Sequence, residues 1–181
     1  MYKECKTQRA RERALHIARC LICMMEQEHF NQITITELCK ESGVPRKGFY
    51  RYFDTKEDVF NLMVDTLMRQ CIDYCALSLD SAAEVSVERL TLCYQFWLEH
   101  RATFDAARRS DMITNMLTRV LHYYDLFLLP PAGSTDELQM RTLFSVGGMV
   151  TILMQWYASG FRRSPEEMAK LTMEMLETPL I

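Results

Sequence analysis

The sequence predicts an all-α protein, and three observations carry that prediction. Apolar residues recur at spacings of three and four along nearly the whole chain, which is the period of one helix face. No stretch alternates polar and apolar residues for long, as a half-buried strand would. The 181 residues include only six Gly and five Pro, so few positions interrupt helices. With 49% hydrophobic and 25% charged residues, the composition is that of a globular chain.

Three short helices are predicted at the front of the chain. Thr34 and Glu37 have the spacing of a capping box, which marks the start of the second helix. Gly43 supplies the left-handed residue that ends it. Pro45 suits the start of a third helix that ends near Tyr52. The first helix is predicted over 9–27, with one apolar face formed by Ala14, Ile17, Ala18, Leu21 and Met25.

Longer helices follow in the rest of the chain. Asp54 or Thr55 is the expected cap of the first of them. Ser164, Pro165 and the two acids after them form a start signal for the last. The clearest break is the proline-rich stretch 129–133. The predicted ranges are 56–79, 84–99, 101–109, 111–129, 135–161 and 165–177.

Charge is distributed unevenly along the chain, although the formal net charge is only −3. Residues 1–52 carry ten basic and six acidic side chains, whereas 53–181 carry eleven basic and eighteen acidic ones. A polyanionic partner would therefore meet the front of the protein.

The second and third helices form a helix-turn-helix pattern, in which the second helix of the pair lies in the DNA major groove. Arg46 and Lys47 stand at its N-terminus, where long donors reach base edges. Tyr50 and Tyr52 offer hydroxyls to phosphate oxygens. The charge of Lys56 gains nothing from its place in a first helical turn, which a nearby anion would explain. Taken singly, each of these side chains could instead be a half-buried aromatic or a solvated cation.

The run 33–44 followed by 49–57 resembles the N-terminal signature of TetR-family transcriptional regulators. The resemblance implies that Phe49 and Phe53 pack inside the head. Pro45 and Gly48 depart from the usual pattern, and Gly48 costs about 1 kcal/mol of helix stability relative to Ala. The resemblance to the TetR family also implies a DNA-binding domain over 1–54 and a helical ligand-binding and dimerisation domain over 55–181. The DNA contacts that it implies are Thr34, Thr36, Arg46, Lys47, Tyr50, Tyr52 and Lys56.

A DNA-binding domain this short predicts a dimer, because helix-turn-helix proteins bind two DNA half-sites about 34–36 Å apart. The last two helices are the expected interface, as a four-helix bundle across a twofold axis. The alternative is that they are ordinary core of one chain. The candidate interface residues are Gly147, Gly148, Val150, Met154, Met168, Leu171 and Met175.

The middle helices are rich in Met and aromatic residues. TetR-like bodies carry a small-molecule pocket in this part, and these residues suit a hydrophobic or aromatic ligand. Core packing explains most of them equally well. The candidate ligand contacts are Tyr94, Trp97, Phe104 and Tyr123.

Other classes of protein are disfavoured. No nucleophile elbow, phosphate loop or zinc-protease motif is present, so we expect no enzyme and no cofactor. Cys20 and Cys23 form a CxxC without a second ligand pair, so we expect no metal, and the seven cysteines without a signal peptide suggest reduced thiols in the cytoplasm. The uncharged stretch 142–161 is interrupted by polar residues, which favours a buried helix over a membrane span.

The leading interpretation is a cytoplasmic homodimeric repressor that binds palindromic double-stranded operator DNA and is released by a small-molecule inducer. The alternative keeps the DNA-binding head but has no inducer, as a DNA-binding structural or division-control protein would.

Overall fold

The computed structural model describes residues 2–3, 7–77, 85–127 and 135–177; the side chains of 76–77, 122–127, 138–139, 141–142 and 146 are not described. Over these residues the chain is helical and has no strand, which confirms the all-α prediction. The helices are α1 (Gln8–Met25), α2 (Ile35–Glu41), α3 (Arg46–Phe49), α4 (Lys56–Leu77), α5 (Val87–Glu99), α6 (Arg101–Arg109), α7 (Ile113–Phe127), α8 (Asp136–Ala158) and α9 (Pro165–Glu177).

Local capping signals explain where several helices begin. The Thr34 hydroxyl accepts from the Glu37 amide at 3.2 Å, and the Glu37 carboxylate accepts from the Thr34 amide at 2.8 Å. Ser164 and Glu167 repeat this reciprocal pair before α9, at 3.2 and 2.8 Å. Each pair satisfies amides that the first helical turn leaves without partners, so these predicted starts are confirmed.

Several helix ends differ from the prediction. Helix α1 ends at Met25 rather than at 27. The third helix is a single turn, and its last residue is Phe49 rather than a residue near Tyr52. Helix α8 ends at Ala158 rather than at 161, because Gly160 adopts φ +75°. The Phe161 amide then donates to the Trp156 carbonyl at 3.0 Å, which is the closure of a Schellman motif.

The chain divides into two compact units. Unit 1 is Met1–Leu67 with Ala102–Arg119, and unit 2 is Met68–Arg101 with Val120–Ile181. The predicted boundary after residue 54 concerns which segments fold independently, and it stays a prediction.

Unit 1 is built around phenylalanines that are almost fully buried. Polar contacts tie its two segments together. The Phe30 amide donates to the Ser110 hydroxyl at 2.9 Å, and the Arg109 guanidinium donates to the Glu26 carbonyl at 2.7 Å. The buried aromatic residues are Phe30, Phe49, Phe53, Phe60 and Phe104.

Unit 2 has a core in which α5 packs against α9. Tyr94 meets the Trp156 ring edge-to-face, with centroids 5.3 Å apart. Its hydroxyl lies 2.6 Å from the Thr172 hydroxyl, so the buried phenol is hydrogen-bonded. Met168 and Ala169 complete this cluster.

Over the described ranges, no helix combines the length and the apolar character that a membrane crossing requires.

Candidate nucleic-acid interface

The turn between α2 and α3 fixes the direction in which α3 leaves. Gly43 has φ +63°, which a side chain would strain, and its amide donates to the Lys40 carbonyl at 3.2 Å. The Val44 amide donates to the Cys39 carbonyl at 3.0 Å, closing a Schellman motif. From α1, an imidazole nitrogen of His16 lies 3.1 Å from the Ser42 carbonyl oxygen. The turn is therefore held both by its own backbone and by α1.

The recognition segment, residues 46–53, sorts its side chains into two faces. Phe49 and Phe53 have no exposed surface, and their ring centroids lie 5.4 Å apart. After α3 the backbone tightens, since the Tyr52 amide donates to the Phe49 carbonyl three residues back. The two phenylalanines therefore anchor the segment, while Arg46 and Lys47 are exposed.

Three of the predicted DNA-facing residues form one cluster on the exposed face, which we call the Arg46 cluster: Thr36, Arg46 and Tyr50. The Arg46 guanidinium lies 3.4 Å from the Thr36 hydroxyl and 3.3 Å from the Tyr50 hydroxyl. It also stands 6.0 Å from the centre of the Tyr50 ring, within cation–π range. The hydrogen bond with Tyr50 raises the pKa of Arg46, so the cluster keeps its positive charge.

Gly48 has a packing reason in this structure. A Cβ added at this position would lie 3.0 Å from Cγ1 of Val44, which is closer than side chains normally approach. Val44 is itself buried. The departure from the usual pattern thus lets the recognition segment sit close to the turn.

Two other predicted contacts serve the fold directly. The Lys56 ammonium donates to the carbonyls of Phe30 and Ile33 at 2.5 and 2.8 Å, and lies 4.5 Å from the centre of the Phe30 ring. The Thr34 hydroxyl, besides capping α2, lies 2.7 Å from the Glu37 carboxylate. A phosphate contact by either residue stays a prediction.

Tyr52 faces inward, against expectation. It is only 7% exposed, and its ring lies 6.3 Å from the Phe53 ring, centre to centre. Tyr52 lies three residues after Phe49 and Phe53 lies four residues after it, a spacing that places all three side chains on one face of a helical turn. We therefore remove Tyr52 from the proposed interface.

Lys3 is a residue that the sequence analysis missed. Its amide donates to the Tyr52 carbonyl and its ammonium to the Tyr50 carbonyl, both at 2.9 Å. The ammonium also pairs with Asp54 at 2.6 Å. Lys3 thus binds the end of the recognition segment. In the sequence, only the excess of basic residues over 1–52 indicated such a role.

Part of the chain matches a known protein family. Residues 24–63, which contain α2, α3 and the start of α4, match the family model described as bacterial regulatory proteins, tetR family. Over this segment the chain is similar to the TetR family. The matched segment is the part of the chain that carries the helix-turn-helix of α2 and α3.

Solved structures share the TetR fold over nearly the whole chain. A candidate TetR-family regulator from Syntrophomonas wolfei is 15% identical, with a TM-score of 0.64 over 94% of this chain and 97% of that one. A TetR transcriptional regulator from Streptococcus agalactiae is 14% identical, with a TM-score of 0.62 over 94% and 97%. The fatty acid degradation regulator FadR from Bacillus halodurans is 15% identical, with a TM-score of 0.60 over 98% of both chains. No curated protein matches the sequence.

The candidate ligand contacts fall in both units, and their role in binding a ligand stays a prediction. Tyr94 and Trp97 are 3% exposed and belong to unit 2, whereas Phe104 is 1% exposed and belongs to unit 1. The Tyr94 hydroxyl is hydrogen-bonded with the Thr172 hydroxyl, and the Tyr94 ring packs against the Trp156 ring. The side chain of Tyr123 lies outside the described residues.

The candidate dimer residues divide between core and surface. Val150 and Met168 are 8% and 4% exposed, so within one chain they pack mainly in its core. Their place in a dimer interface stays a prediction. The remaining five are at least partly accessible: Gly147, Gly148, Met154, Leu171 and Met175.

The exposed apolar surface of α8 lies elsewhere than predicted. Met140, Leu143 and Phe144 are 65, 43 and 66% exposed, and with Gly147 they follow helical spacing on one face. We call these four residues the α8 stripe. The uncharged stretch 142–161 indicated this helix in the sequence, but it did not indicate which face of the helix is exposed.

Proposed function

We propose that this TetR-family chain is a repressor that binds a palindromic operator as a homodimer and is released by a small hydrophobic or aromatic ligand. One observation carries the DNA-binding geometry. The Arg46 cluster and Lys47 form an exposed cationic face on a recognition segment whose other face is fully buried. A rigid base of this kind presents donors to base edges without first ordering them.

The predicted division of labour follows from side-chain chemistry. The Arg46 guanidinium is held by two hydroxyl groups, so its fork can approach guanine acceptors in a limited set of directions. Lys47 is a mobile point charge that suits either a base edge or a phosphate. Tyr50, 40% exposed, offers its hydroxyl beside them.

The α8 stripe supports the dimer. Large apolar side chains exposed at successive helical turns are what a second copy of the helix would cover. Gly147 would let a partner helix approach α8 closely, because nothing lies within 4 Å of the position that its Cβ would take. Met175 and Leu176 on α9 are 43 and 38% exposed and extend the apolar surface that a four-helix bundle would bury.

The inducer part rests on the TetR resemblance and on the aromatic content of α5. It requires a ligand whose affinity differs between two conformations of the dimer, one competent for the operator and one not.

The DNA-binding proposal is tested by selecting fragments from a random pool with the purified protein, then measuring affinity for the selected sequence over a range of salt. Arg46→Ala should lose about 5–150-fold of the preference for particular bases, corresponding to ~1–3 kcal/mol. Lys170→Met, which removes an exposed cation from α9, is the matched control for Lys47→Met and should leave affinity unchanged. Selection of no sequence, or unchanged preference in both Arg46→Ala and Lys47→Met, would contradict the proposal.

The dimer is tested by sedimentation. Phe144→Glu should convert the dimer to monomer while circular dichroism remains that of a folded helical chain. Leu121→Glu, also at an exposed apolar position (42%), is the control and should stay dimeric. A Phe144→Glu variant that remains fully dimeric at micromolar concentration would remove the α8 stripe from the interface.

The inducer is tested on the same operator complex. Apolar carboxylic acids and flat aromatic compounds should include at least one that dissociates the complex and raises the melting temperature of the protein without DNA. A panel with no releasing compound, together with intact sequence-specific binding, would favour the alternative of a DNA-binding protein without inducer.

A further inference from the structure

Three cysteines meet where α4 and α5 pack in unit 2. Cys71 and Cys75 are one turn apart on α4, and Cys93 lies on α5. The sulfur atoms of Cys71 and Cys93 are 3.8 Å apart, and the Cys75 side chain interacts with both. We call these residues the thiol cluster. All of them are free thiols.

The thiol cluster is not equally accessible throughout. Cys71 is 6% exposed, while Cys75 and Cys93 are half-buried. An oxidant from solvent can thus reach Cys75 or Cys93 before it reaches Cys71. Among residues that the structure describes, no three His, Cys, Asp or Glu side chains are arranged to hold a metal ion, so metal binding does not explain the cluster.

The three thiols differ in the direction in which their surroundings shift the pKa. Hydrogen bonds with Cys71 and then with Cys93, together with the nearby Arg89 guanidinium, lower the pKa of the Cys75 thiol well below its ordinary value. The same hydrogen bond with Cys75 raises the pKa of Cys71. A thiolate at Cys75 with protonated thiols beside it is the arrangement of an attacking and a resolving cysteine.

We propose that the thiol cluster is an oxidation site, at which a hydroperoxide produces a disulfide that joins α4 to α5 through Cys93. This site is independent of the proposed operator binding and of any inducer.

The chemistry balances in two steps. The Cys75 thiolate attacks one peroxide oxygen, the O–O bond breaks, and the departing oxygen takes a proton and leaves as water or an alcohol, so that Cys75 becomes a sulfenic acid. The Cys93 sulfur then attacks the sulfenyl sulfur, its proton joins the departing hydroxide, and a second water leaves. The two thiols have lost two electrons, and the hydroperoxide has gained them.

The geometry allows this bond with little rearrangement. A disulfide needs a sulfur–sulfur distance of about 2.05 Å, and the sulfurs of Cys71 and Cys93 are already only 3.8 Å apart. A bond from Cys71 to Cys93, formed by thiol–disulfide exchange, would join the same two helices.

The test uses the reduced full-length protein, hydrogen peroxide as oxidant and N-ethylmaleimide to label the remaining thiols. The wild-type protein should lose two labels and two hydrogen atoms of mass, and peptide mapping should link Cys93 to the α4 peptide. Cys93→Ser should abolish this link, and Cys75→Ser should slow it about tenfold or more because the attacking thiolate is gone. Dithiothreitol should restore both labels.

Cys23→Ser is the matched control, because Cys23 is an exposed thiol on α1 and should not affect the link. Mapping on the wild-type chain needs no substitution, so the proposal stays testable if a serine variant fails to fold. It is overturned if Cys93 keeps its label, if the bond joins Cys20 to Cys23 or Cys71 to Cys75, or if Cys75→Ser is oxidised at the wild-type rate.

Discussion

A buried ion pair in unit 1 allows us to predict how much the free energy of unfolding falls when one partner is removed. Asp65 on α4 is 5% exposed, and the Nε of Arg119 donates to its carboxylate at 2.6 Å. An Nη of Arg119 contacts the second oxygen, so the pair is bidentate. The Tyr2 hydroxyl also donates to that oxygen, at 2.5 Å. Replacing Arg119 by Met keeps most of the side-chain volume but leaves the carboxylate with a single donor.

The expected loss is about 3–5 kcal/mol in the free energy of unfolding, because one partner of a buried pair is removed while the other stays charged. With a urea dependence of ~2–3 kcal/mol per molar, the unfolding midpoint should fall by about 1–2.5 M. Changing both partners, as Asp65→Leu with Arg119→Met, should recover most of the loss since no buried charge is left.

Urea unfolding followed by circular dichroism is the suitable assay, because both tryptophans, Trp97 and Trp156, lie in unit 2 and the ion pair lies in unit 1. A single variant that loses less than about 1 kcal/mol, the range of exposed pairs, would refute the reasoning. A double variant less stable than the single one would refute it as well.

Three further outcomes are expected. Lys56→Met should cost about 1–3 kcal/mol of stability measured in urea, because two backbone carbonyls lose a charged donor; wild-type stability would show that these hydrogen bonds are dispensable. Gly48→Ala should gain nothing from its higher helix propensity, because its Cβ would press on Val44, whereas the same substitution in a Val44→Ala background should stabilise by up to ~1 kcal/mol; an equal effect of Gly48→Ala in both backgrounds would contradict this. Hydrogen bonds from the hydroxyl and the amide of Thr34 lower the pKa of Glu37, so the stabilisation by this capping box should be complete above about pH 4.3 and fade as pH falls further; Thr34→Ala should flatten this acid dependence of the urea midpoint.

Features set by neighbouring residues could be predicted from the sequence. The capping boxes at Thr34 and Ser164 and the left-handed Gly43 depend on side chains within a few positions, so their sequence patterns determine their geometry. The inward positions of Phe49 and Phe53 also agree with expectation, since both are fully buried.

Features set by distant residues could not be predicted. The two carbonyls that bind the Lys56 ammonium are 23 and 26 residues away in the chain. Helical periodicity also cannot tell which partner covers an apolar face, so Met168 suited an interface or a core, and Tyr94 suited a ligand pocket or a core.

The discontinuous make-up of unit 1 has a consequence for engineering. A chimaera that transplants only the first 67 residues onto another regulator would leave behind Phe104, the Ser110 hydroxyl that binds the Phe30 amide, and the Arg119 guanidinium. Such a graft would expose apolar surface and strand the Asp65 carboxylate. Transfer of sequence specificity between relatives should therefore succeed with exchange of side chains on the recognition segment and fail with exchange of the contiguous N-terminal block.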